Sequence, residues 1–193
     1  MKKTGIVIIA LVVIIGICGA FYAVNENSKK ESQKEASLTE IQKITTKDLD
    51  KDYPQTPREV VKFYNKIVDS YYKDQYTDDE LDALADQALK LFDDELAQNN
   101  PKDSYKASIV ADVKNYKDQG KTIAQTDVCD SNDVKYATDN GDSIAYVTAS
   151  YFIKQDNSYS KTFQEYVLRK DSEGRWKILT FYKIASDSDT ENE

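Results

Sequence analysis

The sequence predicts an α+β domain, three helices packed on a four-stranded antiparallel sheet, held behind an N-terminal transmembrane helix and a polar stalk. Three observations predict it. Between Pro57 and Gly120 apolar residues recur at three- and four-residue steps, the period of helices with one buried face. After Gly120 the period drops to two and β-branched and aromatic residues take over, as in half-buried strands. Ahead of both, Gly5 to Val24 reads GIVIIALVVIIGICGAFYAV and carries no charge.

That first stretch sets the location. About 20 apolar residues rising 1.5 Å each cover roughly 30 Å, the hydrocarbon thickness of a bilayer. The expected partner of Gly5 to Val24 is therefore the lipid bilayer, as a single-pass anchor in the cytoplasmic membrane with the C-terminal domain outside. The rival is a signal peptide cleaved after Ala20, which would release a secreted domain. The apolar run continues through Phe21, Tyr22 and Val24 and favours the anchor. Cys18 does not fit a lipoprotein signal, because Ile17 stands where Gly, Ala or Ser is wanted.

Composition narrows the function. The chain carries a formal charge of −8, and removing Lys2 and Lys3 with residues 1–24 takes it to −10. So acidic a domain repels nucleic acid and anionic headgroups. There is no histidine, which removes the commonest general base and zinc ligand and every Ser-His or Cys-His pair. Cys18 and Cys129 are too far apart in location to bridge in an anchored chain, and Cys129 is expected to be a half-buried small residue.

From Asn25 the chain is polar and charged, a stalk over residues 25–47. Within it Ser37-Leu38-Thr39-Glu40 has capping-box spacing, and Leu38, Ile41 and Ile44 share a helical face. The folded domain is expected at 48–185. Thr56-Pro57-Arg58-Glu59 opens its first helix, with Val60, Val61, Tyr64, Ile67, Val68, Tyr71 and Tyr72 on the apolar stripe to about Asp74. Thr77-Asp78-Asp79-Glu80 opens the second, whose Leu81, Leu84, Ala85, Ala88, Leu91, Phe92 and Leu96 run to Asn99. Asp93-Asp94-Glu95 reads as solvated surface of that helix. Asn100 is expected to cap the third helix, with Tyr105, Ile109, Val113 and Tyr116 on its stripe and Gly120 past its end.

Four strands follow: Lys121 to Cys129, Ser143 to Lys154, Tyr159 to Lys170 and Arg175 to Ile184. Asp139-Asn140-Gly141-Asp142, Asp156-Asn157 and Asp171-Ser172-Glu173-Gly174 are turns, rich in residues that tolerate φ > 0. Pairing Gln155 with Ser158 and Lys170 with Arg175 puts Tyr146, Glu165, Arg169, Trp176 and Tyr182 on one face. Both faces carry apolar residues, so one packs the helices and the other is available to a protein partner or a second copy. The last residues, 186–193, form an acidic tail.

The three leading helices and the closing run Leu168-Arg169-Lys170-Asp171 through Gly174-Arg175-Trp176-Lys177-Ile178 resemble the NTF2-like superfamily of cystatin-like α+β rolls. The run Tyr53 to Tyr64, with Tyr76-Thr77-Asp78-Asp79-Glu80-Leu81 and Asn99-Asn100-Pro101, is similar to a family of membrane-anchored proteins from Gram-positive bacteria with no assigned activity. The superfamily resemblance implies a cone-shaped pocket between helices and sheet. Its enzymatic members often place an Asp and a His there, and this chain has no His.

The candidate binding residues are Tyr146, Glu165, Arg169, Trp176 and Tyr182, a polar lining with Glu165 as a base and Arg169 as an anion clamp. The competing expectation is a solvated sheet face with Arg169 stacked on Trp176. Asp127, Asp130, Asn132 and Asp133 have oxygen ligands for calcium, but an EF-hand loop from Asp130 would need Gly and Glu where Lys135 and Gly141 stand. No residue pattern calls for a metal or cofactor. A non-enzymatic binding or assembly module is the expected function; the alternative is a small-molecule pocket with weak acid–base chemistry.

Overall fold

A computed structural model describes residues 38–73 and 75–185. The anchor Gly5 to Val24, the stalk up to residue 37 and the acidic tail lie outside the described residues, and so does Asp74. Among the described residues no helix is long and apolar enough to cross a membrane.

The folded unit reaches back to Glu40, eight residues before the expected start. Helix α1 (Glu40–Thr45) buries Ile41 and Ile44. Its end is held by Gln87, whose amide donates to the Thr45 and Lys47 carbonyls at 3.2 and 2.8 Å. A stretch polar in composition thus joins the core through two isoleucines.

Helix α2 (Pro57–Lys73) starts as its sequence requires. The Glu59 N–H donates to Thr56 Oγ1 at 3.2 Å, and Glu59 Oε2 accepts from the Thr56 N–H at 3.1 Å. Val60, Val61, Tyr64, Ile67 and Tyr71 are all buried, so α2 is the central helix of the core. Helix α3 (Asp78–Leu91) has the same reciprocal cap between Thr77 and Glu80. Removing it by Thr77→Ala should cost about 1 kcal/mol, read as a lower urea midpoint at unchanged slope.

The second expected helix breaks where the sequence looked continuous. Phe92 and Asp93 turn extended (ψ 146° and 155°), and Phe92 forms a parallel bridge to Ile178. The Asp93 N–H donates to the Ile178 carbonyl at 2.8 Å. The helix restarts as α4 (Asp94–Asn99), capped by Asp93 accepting from the Glu95 N–H. Asp93 is therefore not solvated helix surface; it is 6 % exposed. Asn100 closes α4 through a bond from Nδ2 to the Leu96 carbonyl at 2.9 Å, and does not cap α5 (Lys102–Asp118), which has Pro101 in the cap position and no side-chain cap.

The sheet has five antiparallel strands, one more than expected: β1 (Lys121–Val128), β2 (Lys135–Asp139), β3 (Asp142–Gln155), β4 (Ser158–Lys170) and β5 (Trp176–Ile184). β2 is exposed along its whole length, so its sequence carries no buried alternation to announce it. It pairs with the first part of β3 through the tight Asn140-Gly141 turn, both residues at positive φ. β1 pairs with the last part of the same β3 edge, and β4 and β5 follow on the other side.

The expected β3–β4 register holds, with Gln155 opposite Ser158. The β4–β5 register differs twice. Asp171 accepts from the Arg175 and Glu173 N–H groups, which keeps Arg175 inside the turn, so Lys170 faces Trp176. Leu179 is then skipped between Ile178 and Thr180, which puts Tyr182 back on the face of Glu165 and directly opposite it, where the expected register placed Phe163. The two offsets add to two residues beyond Leu179, which returns the strand to its expected face but not to its expected partners. Between them they move Trp176 and Ile178 to the face shared by Ala145, Val147, Ala149, Tyr151, Tyr166 and Leu168, which is the buried one the helices cover.

Candidate functional site

The structure divides the residues proposed from sequence between the two faces of the sheet. Tyr182 donates to Glu165 Oε2 at 2.6 Å, and this bond raises the Tyr182 pKa; Tyr146 stands on the same open face of the sheet. Trp176 lies on the opposite face, beneath Lys170 (5.2 Å from ammonium to ring centre) and beside Tyr136. Arg169 neither stacks on Trp176 nor waits for an anion. Its guanidinium forks onto Asp93, with 3.1 Å from Nε to Oδ2 and 2.6 Å from a terminal nitrogen to Oδ1, and adds Glu95 at 2.8 Å. These hydrogen bonds hold its pKa above the ordinary arginine value. The pair fastens the α3–α4 break to the sheet.

The cavity lies on the other side of the sheet, under the helices. Its volume is about 350 Å³, within the range of small-ligand sites. Helix α2 contributes Tyr64, Val68, Tyr71 and Tyr72, all within one stripe at steps of four, three and one. Helix α5 brings Tyr105, Ser108, Ile109, Asp112 and Tyr116 at the same helical steps. The sheet supplies Ile123 from β1, Tyr151 and Ile153 from β3, Thr162, Gln164 and Tyr166 from β4, and Phe181 from β5. Alternation along each strand turns every second side chain inward, so β4 presents 162, 164 and 166 together.

Eight aromatic rings line this space. Tyr64 sits against Tyr166 edge-on at 5.9 Å between ring centres and against Phe181 at 6.0 Å; Tyr72 meets Tyr116 at 4.9 Å. Hydroxyls connect several of them. Tyr64 and Tyr105 touch at 3.4 Å, and at the rim Tyr72 donates to exposed Asp112. A chain runs from Asn65 to Tyr151 (2.7 Å), on to Tyr166, and to Gln164 (3.1 Å). Three contacts share two hydroxyl protons, so one amide must present its NH2 group. Turning the Asn65 amide satisfies the chain: Asn65 donates to Tyr151, Tyr151 to Tyr166, and Tyr166 to the Gln164 oxygen. Asn65, 2 % exposed, keeps one polar atom without a partner in either orientation.

The Tyr71 hydroxyl is also buried, in a residue 2 % exposed that lines the cavity; it makes no well-formed hydrogen bond, and besides burial the nearby Tyr105 hydroxyl is close enough to shift its pKa. Buried hydroxyls are nearly always paired, so a weakly held one on a cavity wall is free to bond a guest molecule. Desolvation pushes the phenols of Tyr64, Tyr71, Tyr105, Tyr151 and Tyr166 well above their ordinary range. Near neutral pH they are protonated hydrogen-bonding groups and not bases. Among the described residues no group of three or more His, Cys, Asp or Glu stands where it could hold a metal ion.

Fold and cavity together define an α+β domain with a tyrosine-lined chamber between its helices and its sheet. Residues 1–181 match the family model of a domain of unknown function, DUF6715, and the chain belongs to that family. Comparison with curated proteins finds no match.

The helix residues of this chamber were legible as apolar stripes with wet hydroxyls, but not as a site. The signal that could have found it is the recurrence of tyrosine, where Leu or Phe would pack equally well, on two separate helices and two strands.

Proposed function

We propose that the domain is a binding module that takes a small molecule into the tyrosine-lined chamber and does not transform it. The observation that carries this reading is the chamber itself, about 350 Å³ with buried tyrosine hydroxyls on its wall, among them Tyr71, which makes no well-formed hydrogen bond. Acid–base chemistry at Glu165 gains no support from the geometry, since that carboxylate is on the other face of the sheet and pairs with Tyr182. The tyrosines offer ring faces and neutral hydroxyls, which suit recognition more than proton abstraction.

The chamber's place between helices and sheet is what an NTF2-like build implies, and we read the domain in that way. Gly5 to Val24 would hold it as a single-pass anchor on the outer side of the cytoplasmic membrane, where a binding module meets extracellular solutes. The open sheet face with Tyr146, Glu165 and Tyr182 would remain for a protein partner or a second copy.

The test is a thermal-shift screen of small molecules against the full chain, repeated on Ile109→Trp, which puts an indole into the chamber. Ligands of the chamber should raise Tm in the parent by several degrees and leave the variant unmoved. If every hit stabilises both proteins equally, the chamber is not the binding site.

A further inference from the structure

We infer that the chamber selects organic cations of the alkylammonium class, an inference that rests on its being a ligand site. The first observation is electrostatic. Among the described residues that line it, none is Lys or Arg, and the one charged group is the Asp112 carboxylate at the rim. A cavity with no cation on its wall, in a chain of net charge −8, has nothing to hold an anionic ligand.

The second observation is the wall material. Tyrosine ring faces carry the negative end of the aromatic quadrupole and attract ammonium groups brought within about 6 Å. Tyr72 and Tyr116 stand 4.9 Å apart at 63°, and Tyr72 donates its hydroxyl proton to Asp112. That bond returns electron density to the phenol ring and places a carboxylate beside the two rings. Two phenol rings and a carboxylate at one mouth are a chemistry that receives a substituted ammonium.

The third observation is the apolar part of the wall. Ile109, Ile123 and Ile153 line the same space, together with the buried Tyr71 hydroxyl. A ligand with an ammonium head, an apolar or aromatic body and one hydrogen-bonding group fits this set of surfaces. The head stays near Asp112, where the chamber opens, so its charge is never fully stripped of water.

Calorimetric titration of the full chain in neutral detergent with benzyltrimethylammonium, benzyl alcohol and benzoate tests this. The three probes share a ring and differ in charge. Benzyltrimethylammonium should bind at least about tenfold more tightly than benzyl alcohol, with benzoate weakest. Asp112→Asn should shrink the cation-to-alcohol ratio about three- to tenfold, and Ile109→Trp should abolish saturable binding of both. Asp112 is exposed, so its substitution leaves the core intact; circular dichroism verifies the fold of each variant.

Equal affinity for cation and alcohol, or preference for benzoate, overturns the cation assignment while the chamber still stands as a binding site. No saturable binding by any probe, or binding that survives Ile109→Trp in a folded variant, overturns both.

Discussion

Raising the pH through about 10.5 to 12 should unfold the protein in one steep step. Six tyrosines, Tyr53, Tyr64, Tyr71, Tyr105, Tyr151 and Tyr166, are less than a tenth exposed, and burial raises the pKa of each. A group whose folded pKa lies above its unfolded value stabilises the fold fully below the unfolded value, near 10 for tyrosine. That stability is lost as pH rises through the folded value, because the unfolded chain releases a proton that the folded chain retains. Each retained proton costs about 1.4 kcal/mol per pH unit once the unfolded phenol is ionised. Six together approach ~8 kcal/mol per unit, set against the 5 to 15 kcal/mol typical of a whole domain.

Lys177 acts the other way. Burial, with the nearby Arg175 charge, lowers its pKa, so the unfolded chain holds the extra proton and stability rises with pH across that window. One such group does not offset six. The measurement is a pH titration at fixed ionic strength, followed by far-ultraviolet circular dichroism and by phenolate absorbance at 295 nm. The two signals should change together. Smooth ionisation of the tyrosines below pH 11 with native dichroism intact would show that the chamber walls are wetter than described.

Arg169→Met should lower stability by about 3 kcal/mol. The Asp93 carboxylate is 7 % exposed and the Arg169 side chain 24 %, and the substitution leaves Asp93 in place with its chief counter-charge gone. Asp93→Asn should cost less, about 1 to 2 kcal/mol, because Asn still caps α4 while Arg169 retains Glu95. The double variant should be more stable than the sum of the two losses by at least about 1 kcal/mol, the signature of a direct pair. Urea denaturation of the four proteins supplies these numbers. A loss under about 1 kcal/mol for Arg169→Met would demote the pair to a surface contact, and the α3–α4 break would then have to be held by the Phe92 bridge and the Asp93 backbone bond alone.

Both effects spring from residues that the chain order hides. In sequence Asp93 and Arg169 each belong to charged runs, and charges are exposed by default. Only the docking of α4 against β5 places one opposite the other. Trp176 changed faces for a local reason, the Asp171 bonds that hold Arg175 in the turn. β2 escaped notice because none of its side chains is buried, and strand recognition from sequence depends on burial alternating along the strand.

What the sequence by itself determined is everything set by neighbours within a few residues. The capped starts at Thr56 and Thr77, the stripes of α2, α3 and α5, the Asn140-Gly141 turn and the β3–β4 register all follow from side-chain spacing and backbone preference. Tertiary structure alone decided which tyrosines meet. Tyr64, Tyr105, Tyr151 and Tyr166 lie on four different elements, and each is an unremarkable apolar position in its own pattern. Whether such positions fill a core or frame a chamber depends on how closely α5 approaches the sheet, a distance that no local preference encodes.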